Sequence, residues 1–125
     1  MKEITKAQED ILQALWQISD GAVSDVLEVL PEPKPAYNTV ATVIKVLEKK
    51  GYLSHKTYGK TNVYYAIVAK QDYARYVLKD SIKGLFNGSI NQAVSFFVKE
   101  NKEVSINELE ELRNYIEEEI KNKTK

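Results

Sequence analysis

The stretch Tyr37-Asn38-Thr39-Val40-Ala41-Thr42-Val43-Ile44-Lys45-Val46-Leu47-Glu48-Lys49-Lys50-Gly51 decides how this chain folds. At about 100° per residue, Val40, Val43, Ile44 and Leu47 fall on one side of a helix predicted over roughly 38–50. Asn38, Thr42, Lys45 and Lys49 fall on the opposite side, flanked by Ala41, and Gly51 terminates the helix. Pro31, Pro33 and Pro35 just upstream prevent it from continuing backwards. The result is a helix with one apolar seam to bury and one narrow polar stripe, basic towards its C-terminal end.

Working outward, Thr5-Lys6-Ala7-Gln8 has the form of a capping box, with Ile11, Leu12, Leu15 and Ile18 following at helical spacing. That helix is expected to stop near Asp20-Gly21, with Gly21 in a left-handed cap. A short second helix is expected from about Val23 to Leu30. Downstream, Tyr52 to Tyr58 and Asn62 to Val68 are β-prone runs around Gly59-Lys60-Thr61, which predicts a hairpin. Three helices followed by a hairpin is the order of a winged helix-turn-helix.

After Lys70 the pattern is helical only, over about 72–86, 90–100 and 106–121, with Ser89-Ile90-Asn91-Gln92 and Ser105-Ile106-Asn107-Glu108 as further capping boxes. The first of these helices has two apolar faces, Tyr73, Tyr76 and Val77 on one and Leu78, Ile82, Leu85 and Phe86 on the other. The expected fold is therefore mainly α with a small β-hairpin wing: a winged helix over 1–70 and a C-terminal three-helix dimerisation region over 71–125. A segment of about fifty residues has little interior of its own. Pairing with a second copy would bury its stripes, with Tyr76, Ile82, Leu85, Phe86, Val94, Phe97, Leu109, Leu112 and Ile116 at the dimer surface.

Composition removes several function classes. The 125 residues are 43% apolar, with no cysteine and one histidine. Thiol chemistry, disulfides and a thiolate or His-rich metal site are excluded, and no cofactor or enzymatic activity is implied. No apolar run is long enough to span a bilayer, and a cytoplasmic location is expected. Formal net charge is zero, but the charges are segregated. Residues 1–32 carry Lys2 and Lys6 against Glu3, Glu9, Asp10, Asp20, Asp25, Glu28 and Glu32; residues 33–69 carry Lys34, Lys45, Lys49, Lys50, Lys56 and Lys60 against Glu48. A local basic patch is what a phosphate-facing surface requires.

The polar stripe can enter a major groove, where Asn and Thr bond base edges and Lys meets guanine or phosphate. The candidate DNA-binding residues are Tyr37, Asn38, Thr39, Ala41, Thr42 and Lys45, with Lys49, Lys56 and Lys60 on the phosphate backbone. The bland reading of such a stripe is a solvated helix face; the short preceding helix and the lysine-bearing hairpin favour DNA. The competing function is a winged-helix adaptor that binds protein without reading DNA. His55, with no acidic neighbour in sequence, reads as a wing-surface or hairpin-packing residue. Tyr58, Tyr64 and Tyr65 suit cross-strand pairs better than base stacking, Trp16 suits core packing, and Glu117-Glu118-Glu119 splay apart on a solvated helix end.

Leu30-Pro31, Tyr37 to Val43, Leu47-Glu48-Lys49-Lys50-Gly51-Tyr52-Leu53, Tyr64 to Val68, Ser95 to Val98 and Glu108 to Leu112 together carry a family resemblance. In order and spacing, the chain resembles the BlaI/MecI/CopY family of repressors over nearly its whole length. The resemblance implies a homodimer that binds a palindromic operator in double-stranded DNA and blocks transcription. In the antibiotic-responsive branch it further implies a membrane sensor metalloprotease as partner, whose signal leads to cleavage within the dimerisation arm. By that match the cut bond is Ser95–Phe96, where the family has Asn-Phe; the alternative is that Phe96 and Phe97 are simply dimer-core aromatics. The copper-responsive branch carries a C-terminal cysteine cluster that this chain lacks, which argues against copper sensing.

Overall fold

In the computed structural model, which describes residues 1–125, the Thr5 hydroxyl accepts the Gln8 amide and the Gln8 side chain accepts the Thr5 amide. This closed box opens α1 (Lys6–Ile18), which buries Ile11, Leu12, Ala14 and Leu15. The helix ends differently from expectation. The residue with positive φ is Ser19, at φ 75°, whose amide bonds Leu15 O. Gly21 instead belongs to a two-residue strand, β1 (Asp20–Gly21). A Cβ there would lie 2.8 Å from Ile18 Cδ1 and 2.9 Å from Asp25 Cβ, so glycine serves close approach and not a positive φ. The Asp25 carboxylate accepts the Ala22 amide at 2.9 Å at the start of α2 (Val23–Val29).

After the proline segment come α3 (Tyr37–Lys49), β2 (Leu53–Tyr58) and β3 (Thr61–Ala66). The antiparallel sheet has the order β1-β3-β2, with Asp20 opposite Tyr65, Leu53 opposite Ala66 and Tyr58 opposite Thr61. Gly59, at φ +63°, takes the left-handed conformation that the tight connection requires. The hairpin was legible in the sequence; β1, too short to carry an alternating pattern, was not.

Val40, Ile44 and Leu47 of α3 are fully enclosed, with Val26, Leu30, Tyr52, Leu53 and Tyr64 around them. Burial of each aliphatic side chain contributes about 1.5–3 kcal/mol. Trp16 packs beside this core, donating from Nε1 to Val68 O at 2.9 Å, with its ring 5.8 Å from that of Tyr73. Tyr52 lies edge-on to Tyr73 and donates its hydroxyl to Lys2 O. Burial pushes the phenols of Tyr52 and Tyr73 above their ordinary range.

The chain forms two compact units, Met1–Leu78 and Lys79–Lys125, whose division falls inside α4 (Lys70–Leu85). The apolar residues of α4 are thus shared along its length and not only between two faces. Tyr73 is buried in the first unit and Tyr76 packs against the same core, whereas Val77 and Leu78 are exposed. The aromatic cluster built on Trp16 and Tyr52 is what draws the start of α4 into the first unit.

The second unit holds the remainder of α4 with α5 (Ile90–Glu100) and α6 (Ile106–Lys123). Asn87 and Gly88 take positive φ after α4, and Gly88 N bonds back to Ile82 O. Ser89 accepts the Gln92 amide without the reciprocal bond expected from Gln92, while Ser105 and Glu108 form a complete box. The Phe86 and Phe96 rings are 5.6 Å apart, yet no residue of this unit is fully buried. No helix of the chain is long and apolar enough to cross a membrane.

The close approach at Gly21 gives a direct test. Gly21→Ala is expected to lower stability by about 1–3 kcal/mol through overpacking, read as a fall in the urea midpoint. An unchanged midpoint would show that the Ile18 side chain simply moves aside.

Candidate nucleic-acid interface

The inner face of α3 is fixed by Val40, Ile44 and Leu47, which leaves Asn38, Thr42, Lys45 and Lys49 exposed on the other side, with Ala41 half-buried at its margin. The predicted stripe is therefore a continuous outward surface. Tyr37 and Thr39 at the start of the helix are also exposed. The residue before the helix is Ala36, which has no side chain able to cap it. The amides of the first turn consequently lack the hydroxyl acceptors that Thr5, Ser89 and Ser105 supply to other helices, and they remain available to an anion.

Thr42 donates its hydroxyl to Asn38 O at 2.9 Å. With that proton turned back into the helix, Thr42 offers a base edge an acceptor and a methyl group, not a donor. Asn38 retains its side-chain amide for both donation and acceptance.

The lysines divide into two groups. Lys45, Lys49, Lys56 and Lys60 are exposed and take part in no ion pair. Lys34 and Lys50, which lie in the same basic segment of the sequence, are engaged elsewhere. Lys34 Nζ bonds the carbonyls of Leu27, Glu28 and Leu30 at 3.0, 2.5 and 3.1 Å, satisfying the end of α2. Lys50 Nζ bonds Glu3 O at 2.9 Å and Gln8 Oε1 at 3.0 Å, strapping the N-terminal segment to the end of α3. The free basic surface is smaller than the charge of the segment implies and lies on α3 and the hairpin. Lys56 stands on the sheet face opposite His55, and Lys60 lies in the turn at the tip.

His55 lies on the hairpin and packs against its cross-strand neighbour, as its sequence reading expects, and it gains an acidic partner besides. Its Nδ1 is 2.5 Å from Glu48 Oε2, and its ring is 5.3 Å from that of Tyr64, its cross-strand partner. The acidic neighbour is seven residues upstream, folded back by the turn at Gly51. Nothing in the local sequence around His55 announces it; the signal lay in the position of Glu48 on the last turn of a helix that leads directly into the strand.

Of the residues expected at a dimer surface, Leu85, Val94, Phe97, Leu109, Leu112 and Ile116 are exposed, Ile82 and Phe86 are half-buried, and Tyr76 packs in the first unit. Val94, Val98, Leu109, Leu112 and Ile116 line an open apolar cleft of about 370 Å³ between α5 and α6. The Ser95–Phe96 bond lies in the middle of α5, with Ser95 half-buried and Phe96 57% exposed.

The chain is 30% identical over 115 residues to the methicillin resistance regulatory protein MecI of Staphylococcus aureus (strain N315), covering 91% of this chain and 93% of that protein. It is 28% identical over 117 residues to the penicillinase repressor of Bacillus licheniformis, covering 93% and 91% respectively. Among solved structures, the monomeric form of BlaI from Bacillus licheniformis in complex with the blaP half-operator is similar, with 26% identity and a TM-score of 0.49 over 58% of this chain and 89% of that one. The penicillinase repressor model matches residues 4–118, and the chain belongs to that family.

Proposed function

We propose that this chain is a transcriptional repressor that binds a palindromic operator as a homodimer, each winged helix reading one half-site. The observation that carries the reading is the exposed stripe of α3, on a helix whose first-turn amides are uncapped and whose lysines are free of carboxylates. Asn38, Ala41, Thr42 and Lys45 face base edges. Tyr37, Thr39 and the amides beside them hold a flanking phosphate, and Lys49, Lys56 and Lys60 hold the backbone. Repression then follows from occupancy of the operator, without chemistry, in the cytoplasm where the DNA lies.

The arm supports dimerisation because it leaves so much apolar surface open. Leu85, Phe97 and Ile116 are 77%, 62% and 45% exposed in a unit that has no fully buried residue. A second copy is the partner that a palindrome requires and that these helices need for a core. Relief by a membrane sensor metalloprotease belongs to the same proposal. A cut at Ser95–Phe96, in the middle of α5, requires that helix to unwind. Cleavage there would convert bivalent into monovalent binding.

Three outcomes test this reading against the DNA upstream of the gene for this chain. Replacing Lys56 and Lys60 by alanine should weaken binding on all duplexes alike and reduce the salt slope by about 0.9 for each phosphate no longer neutralised, measured by fluorescence anisotropy across a salt series. An unchanged slope removes the wing from the interface, and a native chain whose association ignores salt supports a protein adaptor instead. Changing Thr42 or Lys45 should relax preference at one base pair by about 1–3 kcal/mol, read by competition with single-base variants of the duplex. Full discrimination in both variants would take α3 out of the groove. Ile116→Asp should sediment as a single chain and bind the palindrome about 10²–10⁴-fold more weakly; a dimer of native affinity would place the partner interface elsewhere.

A further inference from the structure

We propose that the Glu48–His55 pair is a positioning link that holds the wing at a fixed angle to α3, so that Lys56 and Lys60 meet the phosphate backbone while the α3 stripe lies in the groove. The inference rests on the DNA-binding reading above. Glu48 sits on the last turn of α3, and the chain then reverses through Gly51, whose amide bonds Glu48 O at 3.0 Å. His55 is the third residue of β2, and its Nδ1 reaches back to Glu48 Oε2 at 2.5 Å. A carboxylate only accepts, so Nδ1 carries the hydrogen, and the bond forms with the ring either neutral or charged. The imidazole is also held from the sheet, where the ring of Tyr64 lies 5.3 Å away on the central strand. Tyr64 is buried and pairs in turn with Gly21 of β1. His55 is thus tied to the helix by a carboxylate and to the sheet by an aromatic ring.

Beyond this point nothing encloses the hairpin. Residues 56–62 are all exposed, and the Glu48–His55 bond is the sole side-chain hydrogen bond between α3 and the strands. From His55 to Tyr58 the strand advances about 10 Å at roughly 3.3 Å per residue. A tilt of about 20° at its base would therefore move the tip by about 3 Å, the length of a hydrogen bond. Two lysines on such a lever keep register with phosphates only if the angle to α3 is held.

The experiment measures operator affinity of the full chain from 50 to 200 mM salt by fluorescence anisotropy. His55→Ala and Glu48→Ala are expected to neutralise up to about two fewer phosphates although no lysine is removed, so that the fall in affinity over this range is about tenfold smaller than in the native chain. His55→Gln, which keeps an N–H donor, is expected to recover much of the slope. In the His55→Ala background, alanine at Lys56 and Lys60 should have little further effect. Glu48→Ala removes a negative charge, which by itself tightens binding to DNA, so weaker binding with a shallower slope reports the link and not the charge. Thermal unfolding of each variant identifies those that fold; if His55→Ala does not, Glu48→Ala carries the measurement. Weaker binding with a native slope, or lysine effects that simply add, overturns the link and leaves the DNA reading intact. A native chain that shows no salt-dependent binding to any duplex overturns both.

Discussion

The enclosed face of α3 is the constraint on which the interface depends. Val40, Ile44 and Leu47 are wholly removed from solvent against α1, α2 and the sheet. Rotating the helix to expose them would forfeit several kcal/mol. That cost holds the opposite stripe outward, so Asn38, Thr42, Lys45 and Lys49 are presented on a rigid element and not a mobile loop. The turn that follows continues the same constraint. Tyr52 and Leu53 are buried directly after Gly51, which anchors the base of the hairpin to the core that orients α3. The family assignment is consistent with a scaffold whose interior sets what its surface can read.

The cationic surface is shaped as much by internal engagement as by composition. Lys34 satisfies three carbonyls at the end of α2, and Lys50 bonds the N-terminal segment and Gln8. These are backbone and amide acceptors, and they direct the two lysines away from the stripe. Lys45, Lys49, Lys56 and Lys60 have no such partners. A neutral chain can present a basic face because its acidic residues are concentrated in the first thirty-two positions and in α6.

The second unit follows a different rule. Its helices are well capped and amphipathic, and local preferences alone account for their limits. Packing within one chain does not complete it: Phe86 meets Phe96, but Leu85, Phe97 and Ile116 remain open to solvent. This contrasts with the closed core of the first unit, where thirteen apolar side chains are buried together.

Much of this molecule was determined by its sequence alone. Helix starts at Thr5, Ser89 and Ser105, the hairpin about Gly59 and the division of α3 into inward and outward residues all follow from local spacing and cap chemistry. Those features depend on neighbours within a few residues, where periodicity is informative. Tertiary structure decided what periodicity and cap chemistry do not carry, whether the partner is near in sequence or distant. Gly21 serves a close approach to Ile18 and Asp25 and not a helix cap; Tyr73 and Tyr76 join the first core because Trp16 and Tyr52 lie there. Lys34 and Lys50 are taken up by carbonyl and amide acceptors, and His55 meets Glu48. Each of these is set by which surfaces and acceptors folding brings together, a three-dimensional fact that helical and strand periodicity do not encode.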